Sequence, residues 1–333
     1  WPNLFFDFMQ INNLASPLLT AGFYYKTFMG IPGWHFYEHF IRKAAGMGST
    51  KLKRDPDTYD KKHTFCDVLI IGGGPSGLSA ALTAGRAGAR VILIESAKSL
   101  GGQLAWELDE IDDELPVKWI NSVGNELNDL NNVTVLKRTT AFGYYDSNVV
   151  NAIENVSDHL SVPVPFTVRQ RLWQIRAEKV LIATGATERP LVFANNDRPG
   201  VILASAARRY VNQYAVKPGN RAVVFANNDD GYKTAINLFE KGIEIPAVVD
   251  SRTSVNNFWK TKLGEAGIEL ISGSAVVNTH GFFALNGVDI ASMSLDGKNI
   301  NGQSRFISAD LLAISGGWSP NVHLYCHAGG KPQ

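Results

Sequence analysis

The sequence predicts an α/β fold whose sheets are built from strand–helix–strand units. Residues 68–71 and 91–94 are short apolar runs rich in β-branched side chains, as expected for strands buried on both faces of a parallel sheet. Residues 78–86 between them have the pattern of a helix. The same order, strand 221–225, helix 232–241 and strand 247–250, recurs in the second half of the chain.

A glycine-rich turn with the spacing G-x-G-x-x-G joins the first strand to its helix, at Gly72, Gly74 and Gly77. In such a turn the first glycine permits the bend, the second lets a pyrophosphate approach, and the third lets helix and strand pack closely. The N–H groups at the helix start then bind phosphate. Glu95 lies 18 residues after Gly77, near the ~20 expected for an acid on a ribose 2′-hydroxyl. We predict a site for NAD or FAD, and not NADP, because a carboxylate repels a 2′-phosphate. The alternative is a glycine-rich turn in an unrelated α/β sheet.

Composition limits the possible functions. A length of 333 residues suggests about two domains, and 45% hydrophobic with 19% charged residues is typical of a globular protein. A net charge of +1 does not favour nucleic acid or an anionic membrane as partner. Cys66 and Cys326 form no C-x-x-C motif, so we expect free thiols, no dithiol redox chemistry and a cytoplasmic, reducing location.

The order of elements predicts two Rossmann-like dinucleotide-binding domains of the glutathione-reductase-like, FAD/NAD(P)-binding type, the second inserted in the first. Strands at 139–145, 149–154 and 171–176 should form a meander, and strand 180–182, followed by A-T-G, should return beside the cofactor. We predict an aromatic-rich N-terminal segment and linker at 1–63, packed on the domain or on a partner. The first domain is expected at 64–195 plus 300–333, with strand 310–315 in its sheet, and the second at 196–299, with strands at 269–271, 275–278 and 281–285.

The second unit has the turn A-N-N-D-D-G at residues 226–231. Ala226 and Asn228 replace two of the three glycines, and Asp229 and Asp230 add negative charge where phosphates would lie. At ~4 Å and an effective dielectric constant of ~20, one such repulsion costs roughly 4 kcal/mol, against the ~0.3–1 kcal/mol that a helix end offers an anion. We predict that this second site is empty or repurposed.

Two histidine pairs have the spacing of metal ligands on a helix. His35 and His39 flank Glu38 in the pattern H-x-x-E-H, and His323 precedes His327 by one helical turn. Neither pair has an identifiable third ligand, so we predict packing or interface roles and no metal site. No side chain has the setting of a general base or nucleophile, and we predict no catalytic residue in this chain.

Along nearly its whole length the chain resembles the alpha subunits of heterotetrameric sarcosine oxidases. The stretches that carry the resemblance are L-L-T-A-G-F-Y-Y-K-T-F at 18–28, the segment 66–77, T-A-F-G-Y-Y-D at 140–146, A-T-G-A-T-E-R-P at 183–190, N-D-R-P-G at 196–200, V-F-A-N-N-D-D-G-Y at 224–232 and S-G-G-W-S-P at 315–320.

The resemblance implies oxidative demethylation of sarcosine to glycine, with H2O2 as product and a one-carbon unit passed to tetrahydrofolate. It places FAD and most of the chemistry on a partner beta subunit, FMN at the interface with that subunit, and a non-redox NAD in the glycine-rich domain of alpha. Smaller subunits are further partners, and nucleic acid and membrane are not. It also implies that this chain is a fragment without the folate-binding C-terminal domain.

The resemblance also implies ten cofactor contacts. They are Gly72, Gly74, Ser76 and Gly77 at the phosphates, Glu95 and Ser96 at the adenosine ribose, Gln103 from a second glycine turn, Ala141 beside the adenine, and Gly316 and Gly317 at the far end. Ser76 departs from the alanine expected at this position, and its small side chain should not prevent binding.

Two other functions remain open. One is a stand-alone oxidoreductase with FAD in the first domain and NADH in the second, which the second turn and the missing C-x-x-C oppose. The other is an alpha subunit of a related amine-, opine- or glycine-oxidising complex. FAD remains an alternative to NAD in the first domain, because both present the same ADP half to the glycine turn.

Overall fold

The computed structural model of the protein describes residues 8–11, 14, 28, 30–48, 50, 52–111, 113–162 and 164–332. The chain divides into two units, Trp1–Pro56 and Asp57–Gln333. The motif at residues 18–27 and many of the N-terminal aromatic residues lie outside the described residues. The predicted packing of those rings therefore stays a prediction.

In the described part of the first unit, the longest element is helix α1 (Trp34–Ala44), which has no buried residue. His35 lies on this helix, with its Nδ1 3.6 Å from Oε2 of Glu38. Across the described ranges of the chain, no group of three or more His, Cys, Asp or Glu side chains could hold a metal ion. No helix in those ranges is long and apolar enough to span a bilayer.

The second unit begins with a six-stranded sheet. Its elements are β1 (Tyr59–Ile71), α2 (Pro75–Arg86), β2 (Val91–Ile94), α3 (Pro116–Asp129), β3 (Val133–Leu136), β4 (Thr139–Tyr145), β5 (Val149–Asn155) and β6 (Gln170–Ile182). The strand order is β3-β2-β1-β6-β5-β4. Strands β3, β2, β1 and β6 pair in parallel, whereas β5 and β4 continue the sheet as an antiparallel meander.

Strand β6 is one continuous strand of 13 residues. Its first half pairs antiparallel with β5, while its whole length pairs in parallel with β1. The sequence correctly predicted strand at 171–176 and 180–182, but the expected break between them is absent. Strand β1 starts at Tyr59, so residues 59–63, which were predicted as linker, are strand.

Successive side chains of a strand point to opposite faces of the sheet. In the parallel part of this sheet, the side chains on both faces are buried. Ile70 and Leu93 pack against α2 and α3, and Ile71 and Ile94 pack on the opposite face with Ile175. Each such buried side chain stabilises the fold by roughly 1.5–3 kcal/mol. The continuous apolar runs of the sequence correspond to this two-sided burial.

The remaining elements are β7 (Ala186–Glu188), β8 (Val201–Leu203), α4 (Ala204–Tyr214), β9 (Arg221–Ala226), α5 (Asp230–Glu240), β10 (Glu244–Asp250), α6 (Asn257–Glu265), β11 (Glu269–Ser272), β12 (Ser274–His280), β13 (Gly287–Met293), β14 (Ile300–Ser308), β15 (Leu311–Ser315), β16 (Trp318–Pro320) and α7 (His323–His327). They form a five-stranded parallel sheet, β11-β10-β9-β15-β8, a three-stranded antiparallel sheet, β12-β13-β14, and the pair β16-β7.

The position of β15 corrects the sequence prediction. This strand pairs in parallel with β9 and β8 in the second sheet, so the prediction that it joins the sheet of the first domain is wrong. After β15 the chain continues through β16, which pairs with β7, and through α7. The second parallel sheet is therefore inserted in the first domain, as predicted, and the residue boundaries of the two domains stay a prediction.

The predicted strand at 281–285 is wrong. Gly281 has φ +135°, and a Cβ on it would lie 1.9 Å from the carbonyl oxygen of Ala284. The chain therefore turns tightly here, and the strand begins at Gly287.

We expect Leu312→Ala to lower the free energy of unfolding by about 2–5 kcal/mol, because it leaves a cavity in a close-packed core. Leu312 is fully buried on β15, opposite Val223 of β9 and Val201 of β8. Urea unfolding followed by circular dichroism measures this change. The control Leu295→Ala removes a side chain that is 96% exposed and should change the value by less than about 0.5 kcal/mol. Equal effects of the two substitutions would contradict the central position of β15.

Candidate functional site

A cavity of about 700 Å³ lies at the carboxyl ends of β1, β2 and β6, where ligands bind in open α/β sheets. Its walls are the glycine turn before α2, the first residues of β4, the segment after β6 and one side chain of α7. Seven of the ten predicted contacts lie on these walls: Gly72, Gly74, Ser76, Glu95, Ser96, Gln103 and Ala141.

Gly74 precedes helix α2 and borders the open space of the cavity. A Cβ added to it would meet no protein atom within 4 Å. The next residue, Pro75, has no N–H, and no side chain caps the helix. The remaining N–H groups of the first turn are therefore available to an anion, which the positive end of the helix also favours.

Gly72 and Gly77 serve packing. Gly72 has φ +111°, and a Cβ on it would lie 2.2 Å from the carbonyl oxygen of Ala183. A Cβ on Gly77 would lie 1.8 Å from the carbonyl oxygen of Gly72. Gly77 is absent from the lining of the cavity and lies beneath the turn, where it keeps α2 close to β1; its predicted place at the phosphates stays a prediction.

Glu95 is 7% exposed and borders the cavity at the end of β2. Its Oε2 accepts a hydrogen bond of 2.7 Å from the N–H of Gly73, and its Oε1 accepts one of 2.7 Å from Ala97 and one of 3.2 Å from the Ser96 hydroxyl. These bonds orient the carboxylate, whose roughly four lone-pair sites leave capacity for sugar hydroxyls. Glu95 is the one ionisable side chain among the lining residues that the structure describes.

Two further predicted residues border the cavity from separate elements. Gln103 follows the second glycine turn and donates a hydrogen bond of 3.2 Å to the carbonyl oxygen of Ala186. Ala141 lies on β4 and packs against an apolar cluster that includes Ile94. The cavity therefore has a helix start, a carboxylate and an apolar wall, the three surfaces that the ADP half of a dinucleotide needs.

The structure does not bring Gly316 and Gly317 to this cavity. A Cβ on Gly316 would lie 2.3 Å from the carbonyl oxygen of Arg189. The N–H of Gly316 donates to that oxygen at 3.0 Å, and the N–H of Arg189 donates to the carbonyl oxygen of Gly317 at 2.8 Å. The two glycines therefore permit close pairing of the chain after β15 with the end of β7, and their predicted contact with the far end of a cofactor stays a prediction.

In the turn between β9 and α5, polar side chains bond to the protein itself. Asn228 Oδ1 accepts a hydrogen bond of 3.0 Å from the N–H of Asp230. Asp230 forms an ion pair of 2.7 Å with Arg208, which is 2% exposed. Asp229 forms one of 2.8 Å with Arg252.

These ion pairs lower the electrostatic barrier to a phosphate at the second turn. Because both aspartates are paired with arginine, the repulsion predicted from the sequence is too large. Asn228 remains an obstacle, because it stands at the position of the second glycine and its side chain already accepts a hydrogen bond from the N–H of Asp230 at the helix start. Absence of a nucleotide from this site stays a prediction.

Asp250 ends β10, where the equivalent acid of the first unit is Glu95, and it is completely buried. It accepts hydrogen bonds from the Tyr232 hydroxyl, from the N–H of Arg252 at 2.7 Å and from the Arg252 guanidinium at 2.8 Å. Protein groups thus engage the carboxylate that would bind a ribose. Burial, and the hydrogen bond to Asp250, raise the pKa of Tyr232 above its ordinary value of 10.0.

Both cysteines are free, as predicted, with Cys66 buried and Cys326 exposed. Burial raises the pKa of the Cys66 thiol to about 11. Because the thiolate is the reactive form, Cys66 has little nucleophilic character at neutral pH.

Sequence reasoning missed Leu324, which is 7% exposed and lines the cavity from α7. No local signal identifies it, because the whole second domain separates it from Ala186, the preceding residue of the lining. Thr139 and Thr140 at the start of β4 also line the cavity and were not singled out.

Residues 67–158 match the family described as FAD dependent oxidoreductase. Over its full length the chain is 45% identical to the sarcosine oxidase subunit alpha of Rhizobium meliloti (strain 1021) and covers 32% of that protein. It is 41% identical, over 86% of its length, to the protein of the same name from Corynebacterium sp. (strain P-1) and covers 30% of it. The chain therefore spans about a third of the length of these relatives.

Among solved structures, the L-proline dehydrogenase of P. horikoshii matches 84% of this chain and 47% of that chain, with a TM-score of 0.57 and 23% identity. This likeness shows the fold. The prediction of two Rossmann-like domains of the FAD/NAD(P)-binding type is confirmed, and so is the resemblance to sarcosine oxidase alpha subunits. The family match at residues 67–158 supports a flavin or other dinucleotide as the ligand of the first domain.

We expect Tyr232→Phe to lower the free energy of unfolding by about 1–2 kcal/mol at pH 7, because it removes a hydroxyl that a buried carboxylate needs. The pKa of Tyr232 is higher in the folded state than its ordinary value of 10.0, so the stabilisation that its hydroxyl provides is fully present below pH 10.0. That stabilisation is lost as the pH rises above 10.0 toward the folded-state pKa. The difference in free energy of unfolding between wild type and variant should therefore narrow above about pH 10.

Urea unfolding at pH 7 and at several alkaline pH values measures both effects. Tyr210→Phe removes a half-exposed hydroxyl on α4 and serves as the control. A gap that stays constant above pH 10, or a control that loses as much stability, would contradict the role given to Tyr232.

Proposed function

We propose that this chain, which is homologous along its full length to the alpha subunits of sarcosine oxidase, is the nucleotide-binding part of such a subunit. In this proposal the first domain retains a dinucleotide without using it for redox chemistry. The observation that carries the proposal is the cavity at the ends of β1, β2 and β6, where open space at Gly74 meets a helix start and Glu95 is the one ionisable lining group described.

The lining residues fit the ADP half of a dinucleotide. The N–H groups at the start of α2 would bind the pyrophosphate, and Glu95 with Ser96 would bind the adenosine ribose. Ala141 would pack beside the adenine. A carboxylate at the ribose disfavours a 2′-phosphate, so we propose NAD, with FAD as the alternative because it has the same ADP half.

The cavity supports retention in preference to catalysis. A general acid or base must lie within hydrogen-bond reach of the reacting group, and Glu95 is already bonded to the N–H groups of Gly73 and Ala97. We therefore place the oxidation of sarcosine to glycine, H2O2 formation and one-carbon transfer to tetrahydrofolate mainly outside this chain. FAD would lie on a beta subunit, FMN at the interface of the two subunits, and the smaller subunits would complete a cytoplasmic heterotetramer.

Two alternatives are less well supported. A stand-alone FAD/NAD-dependent oxidoreductase would need a second nucleotide at the turn 226–231, where Ala226 and Asn228 replace two of the three glycines. An enzyme of this kind that reduces disulfides would also need a redox dithiol, whereas Cys66 is buried and protonated at neutral pH. An alpha subunit of a related amine-, opine- or glycine-oxidising complex shares the same nucleotide site, and the substrate site of its partner would distinguish it.

Gly74→Val should abolish nucleotide retention without unfolding the protein. The new side chain points into space that is open in the protein and that the pyrophosphate would fill. We expect the bound nucleotide, measured by mass spectrometry after denaturation, to fall from about one per chain to less than about a tenth.

Gly264→Val provides the matched control. This glycine lies on α6, outside the cavity, and a Cβ added to it would likewise meet no protein atom within 4 Å. The variant should retain the nucleotide of the wild type. Full occupancy in Gly74→Val would show that the site has been placed wrongly.

The ligand released on denaturation should be colourless, since NAD lacks the visible absorption of a flavin, and the purified chain should not oxidise sarcosine until a beta subunit is added. The absorption spectrum and mass of the ligand, and an H2O2 assay with and without the partner, measure these properties. A yellow ligand that NADH bleaches would favour the stand-alone oxidoreductase. Turnover of sarcosine without a beta subunit would contradict the division of labour proposed here.

A further inference from the structure

We infer that Asn321 is a positioning residue for the nucleotide cavity, holding the wall formed by Thr184, Gly185 and Ala186. This inference rests on the proposed function, because it assumes that a dinucleotide occupies the cavity. It adds a residue from beyond the inserted domain to a site that otherwise consists of residues before position 187 and Leu324.

Three hydrogen bonds connect Asn321 to the wall, and a fourth connects it to the adjacent Thr187. The side-chain Nδ2 donates to the carbonyl oxygen of Thr184 at 2.9 Å, and the side-chain Oδ1 accepts from the Thr187 hydroxyl at 2.9 Å. The backbone N–H of Asn321 donates to the carbonyl oxygen of Gly185 at 3.0 Å, and its own carbonyl oxygen accepts from the Thr184 hydroxyl at 2.9 Å. The amide side chain thus satisfies one donor and one acceptor on the same short segment.

Sheet pairing holds this wall at one end, where Ala186 of β7 lies opposite Pro320 of β16, but Thr184 and Gly185 lie outside any strand. The parallel pairing of β6 with β1 ends at Ile182, and Gly185 has φ +65° with no atom within 4 Å of its Cβ position. Gln103 holds the segment from the opposite side through Ala186. Without the Asn321 side chain, residues 184–186 would keep fewer restraints, and the cavity would lose its defined width.

The same segment also brings an apolar contact. Three residues after Asn321, Leu324 lines the cavity and packs in the cluster that contains Ile94 and, at its margin, Ala141. Asn321 and Leu324 therefore lie on one short segment, which bonds to the wall through the first residue and lines the cavity through the second.

The test compares rates of nucleotide loss during dialysis and thermal midpoints of the nucleotide-free protein. We expect Asn321→Ala to release nucleotide about tenfold faster than wild type, since two hydrogen bonds that order the wall are lost. Thr187→Val should release it about threefold faster, and should add nothing in the Asn321→Ala background because both act through one bond. The control Asn301→Ala, on exposed strand β14, should match wild type in both measurements.

A purely structural role would lower the thermal midpoint of the nucleotide-free protein and leave the release rate unchanged, and this outcome overturns the inference. Release from Asn321→Ala within about twofold of wild type overturns it too. If Asn321→Ala does not fold, the exposed Thr187→Val decides, and a wild-type release rate there is the contrary result. If wild type and Gly74→Val both lack nucleotide, the proposed function itself fails; if only Gly74→Val lacks it while Asn321→Ala behaves as wild type, this inference alone fails.

Discussion

The close contact of Gly77 with the carbonyl group of Gly72 is the constraint on which the nucleotide cavity depends. Any Cβ at Gly77 would lie 1.8 Å from that oxygen, so α2 could not stay against the end of β1. The N–H groups at the start of α2 would then move away from the cavity. Gly74, three residues earlier, has open space beside it. Gly72 and Gly77 thus allow close packing within this turn, and Gly74 leaves room for a ligand.

The second domain repeats this plan and uses the same place differently. Asn228 bonds to the start of α5, and Asp230 pairs with Arg208, a guanidinium that is only 2% exposed. Burying such a pair costs desolvation free energy that the attraction between the two charges only partly offsets. We therefore attribute to this ion pair a role in orienting α4 against α5, and little net stabilisation of the fold. Asp250 is likewise engaged by Tyr232 and Arg252. Protein groups therefore take up the hydrogen-bonding capacity that a dinucleotide would need.

Sequence patterns located the elements that depend on local periodicity and failed where the answer depended on distant pairing. The βαβ unit around Gly72 and the parallel strands of the second unit lie where the apolar runs placed them. The resemblance assigned Gly316 and Gly317 to the far end of the cofactor; in the structure they lie outside the lining of the cavity and pair with the backbone of Arg189. The sequence showed two negative charges at Asp229 and Asp230, but only the structure revealed that Arg252 and Arg208 are paired with them.

Local sequence alone therefore determined the position of the glycine turn, the identity of Glu95 as the acid after it and the loss of two glycines from the second turn, because residue type, spacing and apolar periodicity can be read along the chain. Tertiary structure decided that β15 lies between β9 and β8, that Leu324 reaches the cavity and that Asn321 bonds to its wall. Parallel pairing joins strands through crossovers of variable length, so no spacing along the chain specifies which strand lies beside which. A residue that strand pairing brings to the cavity, such as Leu324, therefore has no local sequence motif that identifies it.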